Sequence, residues 1–82
     1  NGMTIINGCA EFPSGTIRYN AYGFYINKGS IDVTGSAFSG NTTLAGFAQN
    51  GALVVGTSAS GLSGAVSPAI NTLGNNNALI IN

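Results

Sequence analysis

The apolar residues fall in short runs separated by clusters of Gly, Asn and Ser. β-Branched and aromatic residues dominate the runs, which is the pattern of strands joined by turns. Met3 to Ile6 is the first run. Thr16 to Ile26 is a longer one, divided by a turn near Asn20 and Ala21. Ile31 to Thr34 alternates apolar and polar residues, which points Ile31 and Val33 to one face. Ala52 to Val55 is continuously apolar, as a strand covered on both faces is, and Ala78 to Ile81 is similar. Between the runs, Asn7-Gly8 and Asn50-Gly51 suit turns with a positive φ. Pro13-Ser14-Gly15 and Lys28-Gly29-Ser30 mark turns as well.

Helix signals are poor. Each glycine inside a helix costs about 1 kcal/mol relative to Ala, and glycines are spread throughout this chain. Pro68 to Leu73 carries a short helix signal, because proline suits a first helical turn. The expected fold is all-β: a short-stranded β-solenoid or β-helix-like structure, or a small β-sandwich of jelly-roll type. Residues 1–82 are expected to form a single β-rich domain or a segment of a larger assembly.

Two internal echoes run through the chain. Ile6 to Gly15 resembles Val33 to Gly40 with two gaps, and Thr4-Ile5-Ile6-Asn7 resembles Leu79-Ile80-Ile81-Asn82. Repetition of this kind marks solenoids, and so biased a composition also produces it by chance.

Charge narrows the function classes. Glu11, Arg18, Lys28 and Asp32 are the only charged side chains, 5% of the chain against about 25% in ordinary soluble domains. Neutralising a nucleic-acid backbone needs several cations, so no nucleic-acid partner is expected. Solubility of a free monomer depends on net charge, and here it is zero. A chain this short also has a thin core. Cys9 is the single cysteine, so no disulfide within the chain strengthens it. Cys9 reads as a small buried hydrophobe or as half of an intermolecular disulfide. Without histidine, and with two carboxylate side chains, no metal set is expected and no cofactor is implied. The remaining source of stability is association, so identical subunits are the expected partners, as a trimer or a filament. No run of about 18 apolar residues occurs, so no membrane span is expected. A basic-then-apolar leader is not visible at the N-terminus.

The stretch Gly23-Phe24-Tyr25-Ile26-Asn27-Lys28-Gly29-Ser30-Ile31-Asp32-Val33-Thr34-Gly35-Ser36-Ala37-Phe38-Ser39-Gly40-Asn41-Thr42 resembles one coil of a right-handed parallel β-helix, as in surface proteins and phage tailspikes. A short apolar strand, a Gly turn, an alternating strand and a small-aromatic-Ser-Gly-Asn corner follow one another. Asn50 to Val55, Asn71 to Asn75 and Ala78 to Asn82 resemble fainter pieces of further coils. The resemblance implies a rigid rod, often trimeric in viral fibres, with an extracellular, cell-surface or virion location. Members that cut polysaccharides use paired acids, which this chain hardly has.

Enzyme readings fail on inventory, and no catalytic residue is assigned. Hydrolysis by paired carboxylates needs two acids facing one another. Glu11 and Asp32 stand well apart in the chain with no motif around them. A Ser or Cys nucleophile has no His base. The candidate binding surface is Arg18, Tyr19, Asn20, Tyr22 and Tyr25, with Phe24 among them. Aromatic faces stack on sugar rings while Asn and Arg bond hydroxyls, so surface glycans are the expected ligand if these residues bind one. The competing expectation is packing, since aromatic side chains dominate small cores and contacts. Asn41-Thr42-Thr43 fits an N-glycosylation acceptor. The functional expectation is a non-catalytic, self-assembling part of an extracellular or virion fibre, spike or shell. The alternative is a glycan-binding adhesin or tail-fibre tip.

Overall fold

The computed structural model describes residues 3–6, 9–11, 16–18 and 22–82, and side chains from Tyr22 onward. Its strands are β1 (Met3–Ile6), β2 (Cys9–Glu11), β3 (Thr16–Arg18), β4 (Tyr22–Asn27), β5 (Ser30–Asp32), β6 (Ala37–Ser39), β7 (Leu44–Gln49), β8 (Leu53–Val55), β9 (Val66–Ser67) and β10 (Leu79–Ile81). No helix occurs among the described residues. Every pair of these strands is parallel. The strands form three sheets, ordered β1-β4-β7-β9, β10-β8-β5-β2 and β3-β6.

The registers show how the chain winds. Met3 pairs with Phe24, Cys9 with Ser30 and Thr16 with Ala37, so the first coil advances by the same length of chain in all three sheets. The next coil is slightly longer, pairing Phe24 with Gly46 in the first sheet and Ile31 with Val54 in the second. An isolated parallel bridge between Ala37 and Ser60 carries the third side forward in step with the second. The fourth coil pairs Gly46 with Val66 and Val54 with Ile80. Between the strands the corners stay in step: Val33 N donates to Val55 O at 2.7 Å and Gly35 N to Thr57 O at 2.9 Å. The molecule is therefore all-β and wound like a short-stranded β-solenoid. A jelly roll is made of antiparallel neighbours, so the sandwich expectation does not describe it.

Inside the coils, aliphatic residues stack in the second sheet and a large residue faces a small one in the first. Ile31, Val54 and Ile80 occupy one inward row of the second sheet and all are buried. In the first sheet Phe24 faces inward, and its ring lies where a side chain on Gly46 of the next coil would sit. Phe24 meets Phe38 of the third sheet edge to face, 5.7 Å between ring centres. Ile26, Val33, Ala45, Ala48, Ala52, Leu62 and Ala78 fill the remaining core. As the alternation required, Ile31 and Val33 share the buried face.

Three expectations need correction. Ala52 to Val55 is not covered on both faces: Val54 is buried, but Leu53 is 38% exposed on the outer side. The internal echoes do not mark neighbours either. Ile6 pairs with Asn27, not with Val33, and Leu79 pairs with Leu53, in a different sheet from Thr4. Residues 68–73 make turns rather than a helix. Asn71 takes a left-handed φ of 58°, which a right-handed helix cannot include. Its amide donates to Ile80 O at 2.7 Å, and Thr72 N donates to Ala69 O at 3.2 Å.

Candidate functional site

β4 and β7 share one burial pattern, with two successive buried residues, Gly23-Phe24 and Ala45-Gly46, followed by alternation to the strand end. Phe24 and Ile26 are buried and Tyr25 between them is half-buried; the two successive buried residues Gly23 and Phe24 break the period of two, so Tyr22 is half-buried as well and its ring meets that of Tyr25. The coil step between β4 and β7 sets Phe47 beside Tyr25. The Tyr25 and Phe47 rings stack with centres 5.1 Å apart and planes 26° apart. Tyr22 meets Tyr25 edge-on at 5.3 Å and Phe47 at 6.3 Å. Gln49 Nε2 donates to the Tyr25 hydroxyl at 3.3 Å. The result is a three-ring aromatic cluster, half exposed, with a carboxamide at its rim.

Of the residues singled out from sequence, Tyr22 and Tyr25 come together here. Phe24 does not, because it is core. Arg18 lies in β3 of the third sheet, opposite Ser39, so its strand belongs to another side of the coil. Tyr19 and Asn20 lie outside the described residues. Phe47 and Gln49 were missed because nothing local ties them to Tyr25; the coil length does.

An asparagine ladder borders the cluster at the corner between the first two sheets. Asn50 Nδ2 donates to Asn27 Oδ1 at 2.8 Å, and Asn76 Nδ2 donates to Asn50 Oδ1 at 2.9 Å. The backbones stack with them: Asn50 N donates to Asn75 O and Gly51 N to Asn76 O, both at 2.9 Å. Lys28, Asn50, Gly51 and Asn75 to Asn77 all have positive φ, the conformation that Asn and Gly tolerate best. Asn50 is in the middle of the ladder, so Asn50→Ala removes both side-chain bonds and places Ala in a left-handed conformation. At about 1 kcal/mol per hydrogen bond, a loss of about 2–3 kcal/mol is expected from chemical denaturation. Asn50→Gly, which accepts the φ, is expected to lose less.

The two acids are closer than their sequence spacing suggests. Glu11 and Asp32 are register partners on adjacent strands, one coil apart. Asp32 is held by Thr34, whose hydroxyl donates to Oδ1 at 2.6 Å and whose amide donates at 3.0 Å. These bonds favour the carboxylate and hold its pKa below the ordinary value, the side-chain bond contributing most. A lowered folded pKa gives stability that is present above the unfolded value of about 3.9 and lost as pH falls through the folded one. Melting temperature is therefore expected to be level from about pH 5 upward to neutral and to fall below about pH 4. Asp32→Asn is expected to flatten part of that acid limb; an unchanged limb would assign the acid response elsewhere.

Among the described residues no three His, Cys, Asp or Glu side chains group together, and no helix is long and apolar enough to cross a membrane. A shallow pocket of about 80 Å³ lies between Phe38, Gly40, Asn41, Ala45, Gly61 and Ala65. Its lining offers no charge. Asn41, in the corner after β6, is half-buried, while Thr42 and Thr43 are exposed.

Fold and site together define a small all-β protein of parallel coils with an uncharged aromatic and carboxamide face. Comparison with known proteins finds no matching family model, no matching curated protein and no matching solved structure.

Proposed function

We propose that this chain is a non-catalytic structural segment of an extracellular or virion fibre, spike or shell, of the parallel β-helix kind, and that it associates with identical subunits. The observation that carries the reading is the in-register winding: successive coils add rungs to the same parallel sheets, with Ile31, Val54 and Ile80 in one row and Asn27, Asn50 and Asn76 in another. Such stacking builds stiffness and length. A chain with so few charged side chains suits lasting contact with other chains. Light scattering on material eluting from size exclusion at micromolar concentration tests this. A defined oligomer or a growing filament is expected, and a stable monomer at every concentration would refute it.

A second reading has one observation in its favour. Tyr22, Tyr25 and Phe47 form an aromatic cluster next to Gln49 on an outer face, as a glycan-binding adhesin or fibre tip would use. Against it, the rings stack on one another and so cover part of the faces that a sugar would occupy. A glycan array with the parent and with Tyr22→Ala decides between them. Reproducible binding that the substitution removes, with the fold intact, would favour the adhesin.

A further inference from the structure

We infer that residues 69–73 are an end cap, which closes the fourth-coil end of the second sheet to strand addition. β10 is an edge strand of that sheet. Its sequence, Leu79-Ile80-Ile81, has no charge and no proline, so it lacks the side-chain guards that usually protect an edge from pairing with another chain. The guard comes instead from the preceding loop. Asn71 N donates to Ile80 O at 2.7 Å. Its side chain imitates a strand's backbone: Oδ1 accepts from Asn82 N and Nδ2 donates to Asn82 O, each at 3.3 Å. One residue thus makes three bonds along the edge. The left-handed φ of 58° that allows this is one asparagine adopts readily. Two anchors hold the cap in place. Ile70 packs against the core cluster. Asn82 Nδ2 donates to Gly56 O at 2.7 Å and to Ala59 O at 3.1 Å.

The insertion is also visible in the coil length. In the second sheet, more chain separates Val54 from its partner Ile80 than separates Ile31 from Val54 at the step before. The cap gives the stack a direction. Association through the outer faces or through other edges remains open to it, but another strand cannot add to β10 while Asn71 is seated.

The test compares the parent with Ile70→Ser/Asn71→Pro. Proline has no amide hydrogen and cannot adopt the positive φ, so both the anchor and the edge bonds go. With the strand signal retained in circular dichroism, the light-scattering mass of this variant is expected to rise at least about twofold over the parent at equal concentration, as an uncapped edge recruits another chain. Adding Ile81→Lys, which places a charge on the outer side of β10, is expected to return the mass to the parent's value. A mass equal to the parent's, or a rise that Ile81→Lys leaves untouched, would overturn the inference. Amide exchange on the parent keeps the test independent of whether the variant folds. The Asn71 amide is expected to exchange at least about tenfold slower than an unstructured amide, and exchange at the unstructured rate would sink the cap. Because every comparison is with the parent, a monomeric parent would refute the assembly reading above and leave this one standing.

Discussion

Val54→Asp is expected to leave the chain unfolded at ambient temperature. Val54 is fully buried in the middle of the row Ile31, Val54, Ile80. An unpaired charge in such a place costs several kcal/mol, and a small domain has only about 5–15 kcal/mol in total. A protonated Asp would escape the charge and still lose the packing of Val. The neighbouring Val55→Asp is a demanding comparison, because Val55 is half-buried on the outer face and pairs with Asp32 and Ile81. It is expected to cost much less, about 1–2 kcal/mol. Lys28→Ala, at an exposed turn, is expected to shift the denaturation midpoint hardly at all. Three similar midpoints would mean that the second half of the chain has no core.

Gly46→Ala is expected to destabilise, against the usual trend. Replacing glycine within a strand normally gains about 0.5–1 kcal/mol from backbone entropy. Here the added methyl would fall on the Phe24 ring, meeting its Cζ, Cε1 and Cε2 atoms. Phe24 is itself fully buried and in edge contact with Phe38, so the ring has nowhere to swing. Overpacking of this sort costs about 1–3 kcal/mol, and at so close an overlap the upper end is expected. Phe24→Leu should relieve the overlap. In the double mutant Phe24→Leu/Gly46→Ala, the combined loss is expected to be smaller than the sum of the two single losses, as for residues in contact. Additive losses would show that Phe24 does not lie over Gly46.

Much of the local structure was legible in the sequence, and the long-range register was not. Met3 to Ile6 and Ala78 to Ile81 read as strands from their apolar runs, and the positive φ at Asn50-Gly51 followed from the dipeptide itself. Lys28-Gly29 and Asn50-Gly51 also held the coil length, because they are the same corner one turn apart. That signal is masked because the coil length changes from one turn to the next, shortening in the first sheet at the last step while it lengthens in the second, which blurs any fixed period. The echo between Ile6 and Val33 competes with it, because Gly, Ser and Ala match almost anywhere in this composition. Among the site residues, Tyr22 and Tyr25 were found because they cluster with Phe24 in one strand. Phe47 needed the register. The cap was hidden for a different reason. Pro68 looks like a helix start, and only the edge of β10, further along the chain, explains where the Asn71 amide goes.

Winding in parallel coils brings Leu53 and Leu79 side by side on the outer face of the second sheet. Paired cysteines test it most directly. In a Cys9→Ser background, Leu53→Cys/Leu79→Cys is expected to close an intramolecular disulfide under mild oxidation, because register partners on adjacent strands lie within the range of about 4.4–6.8 Å between Cα atoms that a disulfide spans. Leu53→Cys/Ile81→Cys, one same-face position out of register, is expected to close far less. Equal closure of the two pairs, or closure of the second alone, would contradict the winding.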